Sequence, residues 1–73
     1  MTTMTTMTEI KPAIERSISH NETVTVEVND LQIAYDCVCL DSDDCDSARS
    51  NDGSLDVWGE LDGEDFRLRL VRS

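Results

Sequence analysis

Aromatic side chains are few in this chain of 73 residues: Tyr35, Trp58 and Phe66 are all there are. A core built around them is small, and a chain of this length buries only about 60% of its unfolded surface. The length leaves room for one domain and excludes a two-domain dehydrogenase, a TIM barrel or a two-lobed kinase. There is one histidine, His20, with no serine or cysteine that can be placed beside it as a nucleophile, and it reads as a helix C-terminal cap rather than a base. The three glycines, Gly53, Gly59 and Gly63, are scattered singly, so no phosphate-cradling loop is present. No apolar run approaches the roughly 18 residues of a membrane span. The opening MTTMTTMT has neither a basic nor an apolar stretch, so it is not a leader peptide, and a cytoplasmic location is expected. Bases number six against sixteen acids, a formal charge of −10. That balance argues against direct binding to nucleic acid or to anionic lipid. Cys37, Cys39 and Cys45 are an odd set that cannot all pair within the chain, and reduced thiols are expected.

What is present reads as alternating short elements. Residues 1–8 are expected to be a flexible tail and 9–73 a single domain. Ile10, Ile14 and Ile18 recur at helical spacing with Ala13 beside them, predicting a helix over about Glu9 to Ser19, capped by Thr8, with Pro12 tolerated in its first turn. From Thr23 the period changes to two: Val24, Val26 and Val28 predict a half-buried strand. Asn29-Asp30 reads as a hairpin turn leading into a second, central strand over Leu31 to Leu40, with Cys37 and Cys39 sharing its inner face. The stretch 41–53 reads as a loop. Leu55, Val57 and Leu61 predict a third strand, in which Gly59 marks a bulge or a close approach. Asp62-Gly63 is a hairpin signal, and the fourth strand turns Phe66, Leu68 and Leu70 inward, with Arg67 and Arg69 as cross-strand partners of Glu60 and Asp56. The expected fold is α+β, one short N-terminal helix packed on a four-stranded antiparallel sheet in the order α-β-β-β-β.

The charge is unevenly placed. Between Asp36 and Asp65 lie eleven acids (Asp36, Asp41, Asp43, Asp44, Asp46, Asp52, Asp56, Glu60, Asp62, Glu64 and Asp65) and one base, Arg49, a balance equal to the net charge of the whole chain. Acids two apart on a strand project from one face at about 6.6 Å, and Asp56, Glu60 and Asp62 are expected to share such a face, extended by Asp41 and Asp43. Acidic loops are also ordinary solvated surface, but so local a concentration makes a directed field. A groove that receives nucleic acid is lined by lysine and arginine, and carboxylates on a small rigid support can occupy it instead. Trp58, set among Asp56 and Glu60, is a candidate interface anchor. The expected partner-binding residues are Asp36, Asp41, Asp43, Asp44, Asp46, Asp56, Trp58, Glu60, Asp62, Glu64 and Asp65, facing a basic nucleic-acid-binding protein. A calcium loop over 41–52 fails the required pattern, with Asp46 where glycine must stand. No catalytic residue, cofactor or metal is expected, and a domain of this size hardly walls a cleft.

In compact α+β design, local negative charge and lack of catalytic residues, the chain resembles the small acidic phage-encoded anti-CRISPR proteins of the DNA-mimic type. The resemblance lies in class, size and charge, without a shared motif. It implies an inhibitor, monomeric or weakly dimeric, acting in the host cytoplasm on a Cas subunit or surveillance complex and blocking DNA target or PAM recognition through the 36–65 surface. The alternative is a small structural or dimerising module. Zinc on Cys37, Cys39, Cys45 and His20 would stabilise it, or an intermolecular disulfide through Cys45 would link it.

Overall fold

The computed structural model describes residues 4–7 and 9–72. The element order is β1 (Met4–Met7), α1 (Ile10–His20), β2 (Thr23–Val28), α2 (Leu31–Asp41), β3 (Asp44–Arg49), β4 (Leu55–Leu61) and β5 (Glu64–Arg72). The class is α+β as expected, but there are two helices, and the sheet has five strands in the order β1-β2-β5-β4-β3. Strands β1, β2 and β5 run parallel, whereas β5, β4 and β3 are antiparallel. The all-antiparallel expectation fails because parallel neighbours need a crossover, which α1 supplies between β1 and β2, while α2 leads the chain away from β2 before β5 returns beside it. Of the expected tail, Met4–Met7 pair with Thr23–Val26 and form an edge strand. Thr8, the expected cap, lies outside the described residues.

α1 follows from its isoleucine stripe: Ala13 and Ile14 are fully buried, and Ser17 joins them. The helix ends where Asn21 takes a left-handed conformation, φ 50°. The Ser17 hydroxyl accepts the Arg67 backbone N–H at 2.8 Å and lies 2.7 Å from the Glu22 carbonyl, fastening the last turn of α1 to the middle of β5. At the same end the Arg16 guanidinium holds the buried Glu22 carboxylate at 3.0 Å.

The largest correction concerns Leu31 to Leu40, a helix rather than a central strand. Asp30 is not part of a hairpin turn. Its carboxylate accepts the backbone N–H groups of Gln32 and Ile33 at 2.9 and 3.1 Å and caps α2. Ala34 and Val38, four apart, face the core with Leu31 and Tyr35 beside them. The central strand is instead β5. The expected loop over 41–53 is interrupted by β3, an edge strand on which only Cys45 and Ser47 are half-buried.

The cysteine expectation also fails. Cys39, in the last turn of α2, is joined to Cys45 of β3 in a disulfide, leaving Cys37 exposed and free. Cys45 is therefore not a link to a second chain, and a zinc site would have lost two of its four ligands.

β2, β4, β5 and the Asp62-Gly63 turn match expectation, both turn residues having positive φ (54° and 80°). At Gly59 the close approach is real. A Cβ there would run into the Asp44 carbonyl oxygen, so any larger residue would push β3 away.

Both helices lie on one face of the sheet. Their buried residues form a single cluster with Val24, Val26, Val57, Phe66, Leu68 and Leu70. Each such side chain contributes roughly 1.5–3 kcal/mol on burial. Among the described residues nothing covers the other face, although parallel strands are ordinarily covered on both sides. No helix among the described residues is long and apolar enough to cross a membrane.

Candidate functional site

The uncovered face is built by strand alternation. Because Phe66, Leu68 and Leu70 turn toward the helices, Asp65, Arg67 and Arg69 turn away, and the same rule exposes Asp56, Trp58 and Glu60 on β4. The register sets these side chains in rows about 4.8 Å apart from strand to strand. One row is Asp44, Glu60 and Asp65. The next is Asp46, Trp58, Arg67 and Thr23, and below it stand Ala48, Asp56, Arg69 and Thr25.

The rows differ in compensation. Asp56 sits opposite Arg69 and accepts a hydrogen bond from the Ser50 hydroxyl at 2.9 Å. Arg69 reaches out of the sheet to Asp52 at 2.6 Å. The Asp52 carboxyl is held down at about 2, first by hydrogen bonds from the Ser54 hydroxyl and backbone N–H and then by Arg69. Arg67 stands opposite Trp58, not Glu60 as expected, and its guanidinium has no ion pair among the described residues. The Asp44–Glu60–Asp65 row has no base in it. Like charges directly opposite one another on a sheet are destabilising. With Asp46 beside it, this row makes one corner of the face an uncompensated anion.

Trp58 keeps 43% of its surface exposed between these two regimes. On its acidic side an open hollow of about 180 Å³ is bounded by Asp44, Asp46, Glu60 and Asp65. On its other side one of about 370 Å³ is bounded by Thr23, Asp56, Arg67 and Arg69. Both are shallow depressions in an open surface, with Trp58 bordering each.

Of the expected site residues, the structure brings Asp44, Asp46, Asp56, Trp58, Glu60 and Asp65 onto this one face. Asp62 adjoins it in the β4–β5 turn, and Asp43 is tied there by accepting the Asp62 N–H at 3.0 Å, whereas Glu64, the first residue of β5, shares the side of Phe66 and Leu68, borders a hollow with Glu15 and Ile18 of α1, and drops out of the patch. Asp62 is thus in the turn rather than on the strand face of Asp56 and Glu60. Asp36 and Asp41 belong to α2, in the layer behind the sheet, and drop out of the patch. Arg67 was overlooked as part of the site, although its outward position on β5 was legible. No cluster of three metal-ligating side chains is found among the described residues.

No protein-family model, no curated protein and no solved structure matches the chain.

Proposed function

We propose that this protein is a binding inhibitor whose uncovered sheet face occupies the nucleic-acid groove of a basic protein. The observation that carries this reading is the Asp44–Glu60–Asp65 row. Three carboxylates stand side by side across three strands without a base, at a cost to the fold, next to a half-exposed tryptophan. Charges arranged against stability support this reading, because local rules of stability are broken chiefly at functional sites. Screening falls within about 8 Å at physiological salt, so the row and Asp46 act on a partner as one anionic patch. Trp58 supplies desolvated contact area at its edge.

The partner class is a lysine- and arginine-lined nucleic-acid site. Within that class, the likeness to DNA-mimicking anti-CRISPR proteins points to a Cas subunit or surveillance complex, whose DNA-target or PAM-reading groove would be blocked. The protein itself makes no contact with nucleic acid and performs no chemistry. The test is affinity capture from host lysate with the wild-type chain and with a variant carrying Asp44→Lys, Glu60→Lys and Asp65→Lys. The wild type is expected to retain a basic protein at low salt and release it at high salt. Retention of the same protein by the reversed variant would refute the assignment.

A further inference from the structure

Among the described residues, two of the three large apolar side chains left exposed lie together on α2, in the layer behind the sheet from the acidic face. Ile33 and Leu40 are 62% and 85% exposed, and the free Cys37 stands between them. Their spacing, i, i+4 and i+7, lines them up along about 10 Å of helix, on the side turned away from Ala34 and Val38. Nothing in the core requires them to be apolar. The stripe continues at its N-terminal end into a hollow of about 580 Å³, bounded by Ile10, Val28, Ile33 and Ala34 together with Glu27 and Asp30. Asp36 and Asp41, both exposed, flank the stripe itself. Arg49 and Arg72 bound an adjoining hollow with Gln32, the two hollows meeting at Asp30.

We propose that the outer face of α2 is a second docking surface and that its occupant is a basic amphipathic helix from a partner protein. An apolar stripe two turns long fits the anchors of a helix laid along it, and the hollow at its end accepts one large apolar side chain. The carboxylates at its margins call for lysine or arginine beside those anchors. A second copy of this chain is a poor occupant. It would set a net charge of −10 against an equal one, and in a two-fold contact the carboxylates that border the stripe would face one another. Because α2 lies behind the sheet, this surface and the acidic face can be engaged together. The inference stands independently of the partner assigned to that face.

The probe is a synthetic leucine–lysine peptide of about fourteen residues with helical periodicity, compared with a scrambled peptide of the same composition. At physiological ionic strength the periodic peptide is expected to bind and to protect Cys37 from alkylation by iodoacetamide, and the scrambled one to do neither. The double variant Ile33→Ser, Leu40→Ser keeps every charge and alters only exposed positions, so its fold is retained, as circular dichroism will show. It is expected to bind at least about tenfold more weakly. Equal binding by the scrambled peptide, unchanged affinity of the double variant, or unprotected Cys37 overturns the proposal. So does a concentration-dependent dimer in sedimentation that the double variant abolishes, since the occupant would then be a second copy.

Discussion

Glu60 has an acid on either side, Asp44 on one strand and Asp65 on the other, and none of the three has a base across from it. Replacing the middle charge removes two repulsions and creates two attractions, each worth a few tenths to about 1 kcal/mol. Glu60→Lys is therefore expected to raise the urea midpoint while weakening partner binding, two effects of opposite sign that an ordinary surface acid does not produce. A second residue-scale effect belongs to Asp52. Its folded-state value of about 2 lies below the ordinary 3.8, so it stabilises the fold above about pH 4 and loses that contribution as pH falls toward 2. Melting temperatures of the wild type and Asp52→Asn should differ at pH 6, with the wild type higher, and converge near pH 2. A constant difference across that range would mean that the carboxylate's hydrogen bonds to Ser54 are not formed in solution.

The elements read correctly from sequence were those with one face in the core. Val24 and Val26, Leu55 and Val57, and Phe66, Leu68 and Leu70 alternate because every second residue is buried, and that same alternation placed Asp56, Trp58 and Glu60 outward. Leu31 to Leu40 reads as a strand because its apolar residues satisfy both periods: Leu31, Ile33, Tyr35, Cys37 and Cys39 step by two, while Leu31, Ala34, Tyr35 and Val38 follow a helix. The ten-residue length and the Asp30 cap were the overlooked cues. β3 was invisible for the opposite reason. An edge strand with little burial carries no apolar alternation, and only the i, i+2 acids Asp44 and Asp46 hinted at it. Asp36 and Asp41 were misplaced with the segments that carry them. The disulfide joins these two misread elements, and no spacing rule reveals such a pairing. It closes a short loop, for which the chain-entropy relation gives about 2 kcal/mol. The variant Cys39→Ser, Cys45→Ser is expected to be less stable by about that amount. Amide exchange should accelerate across β3 and remain slow in β2 and β5, because β3 then rests on the β4 ladder alone. Uniform acceleration would show that the bond stabilises the whole molecule rather than its acidic edge. In a reducing compartment the same opening is expected for the wild type.

At the scale of the molecule, both helices are spent on one side of the sheet, and five of the sixteen acids, Asp44, Asp46, Asp56, Glu60 and Asp65, stand together on the other. A net charge of −10 on 73 residues works against the compact state everywhere, and the Asp44–Glu60–Asp65 corner of the sheet gathers part of it with no base across from any of the three. A surface that merely kept the protein soluble would be satisfied by dispersed charge. The measurement that decides between these uses is competition. The protein captured by the wild-type chain is purified, and displacement of the chain by duplex nucleic acid is followed through Trp58 fluorescence. Occupation of a nucleic-acid groove predicts mutually exclusive binding, with duplex raising the apparent Kd for the chain in proportion to its concentration. A ternary complex, in which duplex and chain bind the same protein at once with unchanged affinity, would contradict it.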